Sequence, residues 1–274
     1  MRTSQKMVLS LVFLAAFTLF YWEKIHQNPR WASEAMSVAS TSTTMKVTSR
    51  RLLPKRVFCY GDSLTAGTSP PTHHLYPYGP YLEEALTKSS DSEISVKWKG
   101  FPGWTSISLL QDAGFSDMLE TAKRDRNKIL EESNPIEEEL PPFDLVIILA
   151  GTNDLAHGYT SDEIFESVTG IHELALQKGC PKTLALGIPP SGWQAHSKDA
   201  RTLAASVNQK LEAWVADKQQ STAATSYYLP FPIETFDRSS DLWSPDTLHF
   251  SEAGYRYLGT ELAPTVAEIL STDE

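Results

Sequence analysis

Residues 61–67 read Gly61-Asp62-Ser63-Leu64-Thr65-Ala66-Gly67 and directly follow a short β-prone run, Arg56–Tyr60. A run of this length, rich in branched and aromatic residues, is typical of a strand, and the glycine and aspartate that follow mark its end. The stretch therefore predicts a strand whose carboxyl end presents Ser63 at the start of a helix. A serine hydroxyl is a weak nucleophile until a neighbouring base takes its proton.

A base and a carboxylate lie near the other end of the chain, in Asp246-Thr247-Leu248-His249. An imidazole is a good base near neutral pH, above all when a carboxylate fixes which ring nitrogen carries the proton. We take His249 as the candidate among the seven histidines because it follows an aspartate at this short spacing and lies just before a predicted helix. One tight loop can then bring the Asp246 carboxylate to the imidazole.

Two further polar blocks follow predicted strands. Gly103-Trp104-Thr105 comes after the run Ile94–Trp98, and Gly151-Thr152-Asn153-Asp154 comes after Leu145–Ala150. Open parallel sheets bind their ligands at the carboxyl ends of the strands. We therefore expect both blocks to meet Ser63 at one edge of a sheet.

In this order the four blocks resemble the SGNH hydrolase superfamily, also called the GDSL esterase/lipase family, over residues 55–270. The family is named for a serine, a glycine, an asparagine and a histidine, which here are Ser63, Gly103, Asn153 and His249. The resemblance implies that Ser63 is the nucleophile, His249 the general base and Asp246 its orienting carboxylate. It also implies an oxyanion hole made by the backbone N–H groups of Ser63 and Gly103 and the side-chain amide of Asn153.

The whole segment after residue 53 alternates between strand-like and helix-like patterns, which predicts a parallel sheet covered by helices on both faces. The five predicted strands are Arg56–Tyr60, Ile94–Trp98, Leu145–Ala150, Thr183–Ile188 and Ser226–Leu229. The fold class is therefore α/β, with a central parallel sheet of about five strands. The resemblance implies a three-layer α/β/α sandwich, the flavodoxin-like fold of SGNH hydrolases.

Two helix starts can be read from capping signals. Thr160 and Glu163 form a capping box ahead of apolar residues at helical spacing. Ser251 is the predicted N-cap of the last helix, which we expect to turn Tyr257, Leu258 and Leu262 inward.

The N-terminal region differs from the rest. We predict a signal anchor or signal peptide over 1–26, a flexible stalk rich in serine and threonine over 27–53, and the hydrolase domain over 54–274. The apolar run 7–22 follows two basic residues, and small-residue cleavage sites lie far beyond its end. That distance favours an uncleaved anchor and leaves a cleaved signal peptide open. Either form predicts a domain exported into the secretory pathway, membrane-attached through residues 7–22 or secreted.

Charge and cysteine content limit the partners. Of 24 basic and 34 acidic residues, seven basic and two acidic ones precede residue 54, which leaves 17 and 32 and a formal charge of −15 for 54–274. Such a domain repels nucleic acid, so no nucleic-acid partner is expected. Cys59 and Cys180 are the only cysteines, and free buried thiols are the expected state.

The predicted activity is hydrolysis of small or short-chain acyl esters by a serine esterase, through an acyl-enzyme and without metal or organic cofactor. The substrate is a small-molecule ester, an acylated glycan or a lipid. Alternatives that stay open are an O-acyltransferase or deacetylase acting on glycans, a lysophospholipase or lipase, and a non-catalytic binding module on the same fold. Aromatic residues follow the predicted strand ends and serve either as an apolar pocket or as packing: Tyr76, Tyr78, Tyr81, Trp104, Trp193 and Trp243.

Overall fold

Five strands form a single parallel sheet in the order β2-β1-β3-β4-β5. This is seen in a computed structural model, which describes residues 54–89, 93–133, 139–220 and 226–272. The strands are β1 (Lys55–Asp62), β2 (Ile94–Phe101), β3 (Leu145–Leu149), β4 (Thr183–Leu186) and β5 (Ser226–Leu229). The predicted α/β sandwich with five parallel strands is confirmed.

Eight α-helices and one 3₁₀ turn connect the strands of the described residues. They are α1 (Ser63–Ala66), α2 (Tyr78–Ser89), α3 (Ser106–Leu110), α4 (Ala113–Ser133), the 3₁₀ turn Asp154–Ala156, α5 (Ser161–Gln177), α6 (Gly192–His196), α7 (Lys198–Gln220) and α8 (Glu252–Ser271). The capping box of Thr160 and Glu163 begins α5, and Ser251 caps α8 by accepting from the Gly254 N–H, both as predicted.

Alternate residues of each strand enter two separate cores, because successive side chains of a strand point to opposite faces. Val57 and Cys59 of β1 pack with α2 and α8, whereas Phe58 and Tyr60 pack with α3, α4, α5 and α7. Strand β3 is buried on both faces, as expected for a central parallel strand. Cys59 and Cys180 are free and buried in different cores, as expected.

One prediction for the last helix is wrong. Tyr257 is 39 % exposed, whereas Tyr255 is fully buried together with Leu258 and Leu262. Since α8 begins at Glu252, its buried stripe recurs at 255, 258 and 262, and position 257 lies on the opposite side of the helix.

The predicted N-terminal segments 1–26 and 27–53 lie outside the described residues, so the anchor remains a prediction. Over residues 54–89, 93–133, 139–220 and 226–272, none of the helices has the length and apolar character needed to cross a membrane.

Candidate active site

Ser63 lies at the junction of β1 and α1. Asp62 ends the strand, and its carboxylate accepts the Leu64 N–H at 2.9 Å, which caps the short helix. Gly67, with a φ of 78°, ends that helix one turn later. The nucleophile candidate is therefore fixed between a strand end and a left-handed glycine, and its side chain is 5 % exposed.

Two glycines allow α1 to lie close against the sheet. A Cβ at Gly100 of β2 would sit 2.1 Å from the backbone nitrogen of Ala66, and a Cβ at Gly61 would sit 2.1 Å from the Leu149 oxygen. Both distances are far below van der Waals contact, and the blocking atoms belong to the backbone. The close approach of α1 to β2 thus requires glycine at position 100, and glycine at position 61 leaves room for the β3 backbone and for the Thr65 Oγ1 of α1, which would be 2.6 Å from such a Cβ.

His249 lies between Ser63 and Asp246 and is hydrogen-bonded to both. Its Nε2 is 2.9 Å from the Ser63 Oγ, and its Nδ1 is 2.6 Å from the Asp246 Oδ2. The other oxygen of Asp246 accepts the backbone N–H groups of Leu248 and His249, each at 3.0 Å. These contacts join residues 186 positions apart in the chain into one hydrogen-bonded series.

The loop that carries His249 is closed by backbone pairing. Trp243 and Phe250 form an isolated antiparallel bridge, and the Ser244 N–H donates to the His249 oxygen at 2.9 Å. The Ser244 hydroxyl also donates to the Pro70 oxygen, in the loop that follows α1. The histidine loop is thereby fastened to the segment that follows Ser63 and α1.

The glycine and asparagine blocks meet each other on the neighbouring strand ends. The Asn153 amide donates to the Trp104 oxygen at 2.8 Å, directly after Gly103, whose φ is 82°. The Asp154 carboxylate accepts both the N–H and the hydroxyl of Ser106, at 2.9 Å and 2.6 Å. Because β1 lies between β2 and β3, these blocks follow the two strands that flank the strand of Ser63.

The three aspartates of the site differ in their electrostatic environment. Burial raises the pKa of Asp62 to about 7, against the opposing effect of the Leu64 N–H. Burial also raises the pKa of Asp154, although hydrogen bonds from Ser106 oppose the change. Burial acts in the same direction on Asp246, but its hydrogen bond to His249 and the charge of that imidazole outweigh it and lower its pKa. Asp246 is therefore the carboxylate held in its ionised form.

The spacing of aspartate and histidine occurs twice in the chain, and only the structure separates the two cases. Asp154 also stands three residues before a histidine, His157. That ring is exposed and bonds to the Asn153 oxygen at 2.7 Å, while Asp154 bonds to Ser106. The aspartate–histidine spacing alone therefore does not identify the base. What distinguishes His249 from His157 is its hydrogen bond to Ser63.

The aromatic residues near the strand ends divide between core and surface. Tyr78 and Trp243 are buried in the core beneath α2 and α8, so they are packing residues. Trp104 is half-buried and stacks on Phe101 with ring centroids 4.3 Å apart, whereas Trp193 is 43 % exposed. Within the described parts of the chain, no three His, Cys, Asp or Glu side chains cluster closely enough to hold a metal ion.

Sequence reasoning missed two contacts at this edge of the sheet. One is the Ser106–Asp154 pair, for which the only signal is that both residues follow strand ends. The other joins Gly192, at the start of α6, to Thr247 of the histidine loop, with the Gly192 N–H donating to the Thr247 oxygen at 2.8 Å. No local pattern links residues so far apart in the chain.

Comparison with known proteins places this geometry in a family. The sequence model described as "GDSL-like Lipase/Acylhydrolase family" matches residues 59–257, which include Ser63, Gly103, Asn153, Asp246 and His249. No curated protein sequence matches the chain.

Solved structures with the same fold are distant in sequence. A mutant acetyl esterase crystallised with an acetate ion is 17% identical, with a TM-score of 0.55, covering 80% of this chain and 100% of its own. A carbohydrate esterase family 3 protein from Talaromyces cellulolyticus is 18% identical, with a TM-score of 0.54 and coverages of 79% and 98%. A psychrotrophic esterase from Pseudoalteromonas sp. is 17% identical, with a TM-score of 0.51 and coverages of 80% and 100%. At these identities the likeness concerns the fold.

Proposed function

Because the chain belongs to the GDSL-like lipase/acylhydrolase family and is a hydrolase acting on esters, we propose that it cleaves small or short-chain acyl esters through Ser63, His249 and Asp246. The observation that carries this proposal is the position of His249, 2.9 Å from the Ser63 hydroxyl and 2.6 Å from the Asp246 carboxylate. Nucleophile, base and orienting group are thus within hydrogen-bond reach of one another, as covalent catalysis requires.

The reaction begins with transfer of the Ser63 proton to His249. A neutral imidazole carries one N–H; with that hydrogen on Nδ1, facing Asp246, the Nε2 lone pair faces the Ser63 hydroxyl. As the Ser63 Oγ bonds to the ester carbonyl carbon, Nε2 takes the hydroxyl proton. His249 then returns the proton to the leaving alcohol, and the acyl group stays on Ser63. In the second half, Nε2 takes a proton from water as the water oxygen bonds to the acyl carbon; the bond to Ser63 Oγ then breaks, Nε2 returns the proton to that oxygen, and the acid is released.

The developing oxyanion is stabilised by donors already in position. We assign this role to the backbone N–H groups of Ser63 and Gly103 and to the Asn153 side chain. The Asn153 amide has two N–H bonds; one donates to the Trp104 oxygen, which fixes the orientation of the group and leaves the second for the substrate. Each such donor is worth about 10²–10³-fold in rate.

A short acyl group is the substrate feature that we favour. Ser63 and His249 are 5 % and 6 % exposed, so the reacting atoms lie at the floor of the site. Trp104, next to Gly103, is packed against Phe101, with ring centroids 4.3 Å apart. An acetyl esterase and a carbohydrate esterase are among the solved proteins of similar fold, which makes acetyl esters the first to test.

We also propose that the domain acts outside the cytosol. The support is the sequence alone, namely the apolar run at 7–22 preceded by Arg2 and Lys6. Fractionation of cells that express the full chain, with and without residues 1–26, tests this, and a cytosolic full-length chain would contradict it.

The test of the activity is hydrolysis of p-nitrophenyl esters from acetyl to palmitoyl by the full chain. We expect turnover to be highest for the shortest acyl groups and to be abolished by Ser63→Ala. Ser167→Ala is the matched control, since this serine of α5 is also buried but donates only to a backbone oxygen. Turnover that survives Ser63→Ala would contradict the nucleophile, and preference for palmitoyl would favour a lipase or lysophospholipase.

A further inference from the structure

Thr247, between the two residues of the histidine–aspartate pair, has a strained backbone. Its φ is 63°, and it is the single non-glycine residue with a positive φ among the residues that the structure describes. A β-branched residue is unfavourable in this region, at a cost of about 1–3 kcal/mol, and persists only where its surroundings hold it. Strain of this kind concentrates at functional sites.

The surroundings that hold Thr247 come from the segment after β4. The Gly192 N–H donates to the Thr247 oxygen at 2.8 Å, while the Thr247 N–H donates to the Ser244 oxygen at 2.9 Å. The Thr247 side chain lies directly on the Cα of Gly192. A Cβ at Gly192 would be 2.4 Å from the Thr247 Oγ1 and 2.6 Å from its Cβ.

The segment that carries Gly192 is itself firmly fixed. Ser191 caps α6 by accepting the Gln194 N–H at 3.3 Å, and the Gln194 side chain donates to the Pro189 oxygen at 2.8 Å. Ser191 and Gln194 are both buried. The exit of β4 therefore offers a rigid support against which the histidine loop can rest.

The left-handed turn at Thr247 brings the catalytic carboxylate back towards the imidazole. With this turn, the Leu248 and His249 N–H groups both reach the Asp246 Oδ1 at 3.0 Å. The second oxygen is then left for the imidazole Nδ1 at 2.6 Å. A Thr247 relaxed to negative φ would redirect the chain between Asp246 and His249 and break this arrangement.

We propose that Gly192 and Thr247, which we call the histidine clasp, are positioning residues that keep the Asp246–His249 pair aligned with Ser63. The proposal rests on the function proposed above. Neither residue touches the reacting atoms. The clasp acts through the backbone of the histidine loop, and the absence of a side chain at position 192 is what allows the contact.

The test is a double-mutant cycle assayed with p-nitrophenyl acetate. Gly192 has no positive φ, so alanine suits its backbone and Gly192→Ala acts through the new contact with Thr247. We expect kcat to fall about 10²-fold, the size of effect that a displacement near 1 Å produces, with KM changed less than about threefold. Thr247→Gly removes the side chain and tolerates the positive φ, so we expect a loss of less than about tenfold.

Rescue separates positioning from a merely structural effect. In Gly192→Ala with Thr247→Gly both contacts below 3 Å are removed, and the nearest atom left to the new methyl group is Phe236 Cζ at 3.2 Å, which has to move by only a few tenths of an ångström. We therefore expect kcat to recover at least about tenfold over Gly192→Ala alone. The proton resonance of the His249 Nδ1–H, shared with Asp246, should weaken in Gly192→Ala and return in the double variant. Gly179→Ala is the control, because its positive φ of 90° makes alanine strained without a close contact; it should lose stability and keep its kcat.

The possible outcomes distinguish the two proposals. Turnover by Ser63→Ala would overturn the proposed function and the clasp with it. Wild-type turnover that depends on Ser63, together with unchanged kcat in folded Gly192→Ala, would overturn the clasp alone. Should Gly192→Ala not fold, the double variant decides: folding and turnover at the level of Thr247→Gly support the clasp, and their absence refutes it.

Discussion

Replacement of Asp246 by asparagine tests the orientation of the base most directly. In the wild type, the backbone nitrogens of Leu248 and His249 each lie 3.0 Å from Asp246 Oδ1, and an asparagine keeps a side-chain oxygen that can accept the same two N–H groups. In place of Oδ2, however, it presents an NH₂ group to the imidazole Nδ1, which is 2.6 Å away. Two donors cannot share a hydrogen bond, so the imidazole must move its own proton to Nε2.

The shifted tautomer removes the base without unfolding the protein. A protonated Nε2 donates to the Ser63 Oγ at 2.9 Å and cannot accept its proton. In serine hydrolases of this design the wrong tautomer lowers kcat about 10⁴-fold, which corresponds to about 5.4 kcal/mol of transition-state stabilisation. Since both backbone hydrogen bonds survive, we expect the free energy of unfolding to change by less than about 1 kcal/mol.

The assay is steady-state hydrolysis of p-nitrophenyl acetate, with thermal unfolding of the same samples. We expect kcat to fall by about 10³–10⁴ and KM to stay within about threefold. Asp237→Asn is a matched control, because the Asp237 carboxylate likewise accepts a backbone N–H two residues on, that of Ser239 at 2.8 Å, but in an exposed loop. A folded Asp246→Asn protein with more than a tenth of wild-type kcat would refute the orienting role.

Three further substitutions separate catalysis from the pH dependence of stability. Asn153→Ala should lower kcat about 10²–10³-fold with little change in KM, because an oxyanion donor acts mainly in the transition state; a rise in KM alone would exclude that role. Burial raises the pKa of Asp62 to about 7, so the folded protein favours the protonated carboxyl, and this contribution to stability is present at acid pH and is lost as the pH rises through that value. The wild type should therefore lose about 3 kcal/mol of unfolding free energy between pH 4.5 and 7. Asp62→Asn should remove this loss, as measured by urea unfolding. An identical slope in Asp62→Asn would contradict this. His172→Phe should remove a loss of stability at acid pH. Burial lowers the pKa of His172 to about 3, so the wild type loses about 2 kcal/mol of unfolding free energy as the pH falls from 6.5 to 4.5. A variant no more resistant to acid unfolding than the wild type would argue against this.

The predictable part of the molecule is the part governed by strand ends. Each of the blocks with Ser63, Gly103 and Asn153 follows a strand of the sheet, and the parallel arrangement brings such ends to one edge. What sequence reasoning could not give is register and long-range contact. The inward position predicted for Tyr257 is wrong although the Ser251 cap is right, because Tyr255, Tyr257 and Leu258 are all apolar enough to face a core and only packing decides which of them do.

The contacts of the histidine loop were also beyond local reasoning, because they depend on which distant segments the fold brings together. Asp154 and His157 have the same spacing as Asp246 and His249, yet packing turns Asp154 towards Ser106 and His157 towards solvent. Likewise, no residue near Thr247 in the sequence predicts its positive φ. The glycine that packs against it, Gly192, lies in the segment after β4.

His249 does not follow a strand of the sheet, and this explains why its loop is held from two sides. On the nucleophile side, the Tyr255 hydroxyl donates to the Thr68 oxygen at 2.7 Å, which fastens the start of α8 to the segment after α1. On the other side, the exit of β4 supports the loop through Gly192. The position of His249, 2.9 Å from Ser63, therefore depends on both of these hydrogen bonds. Weakening either one should reduce turnover before it reduces the stability of the sheet.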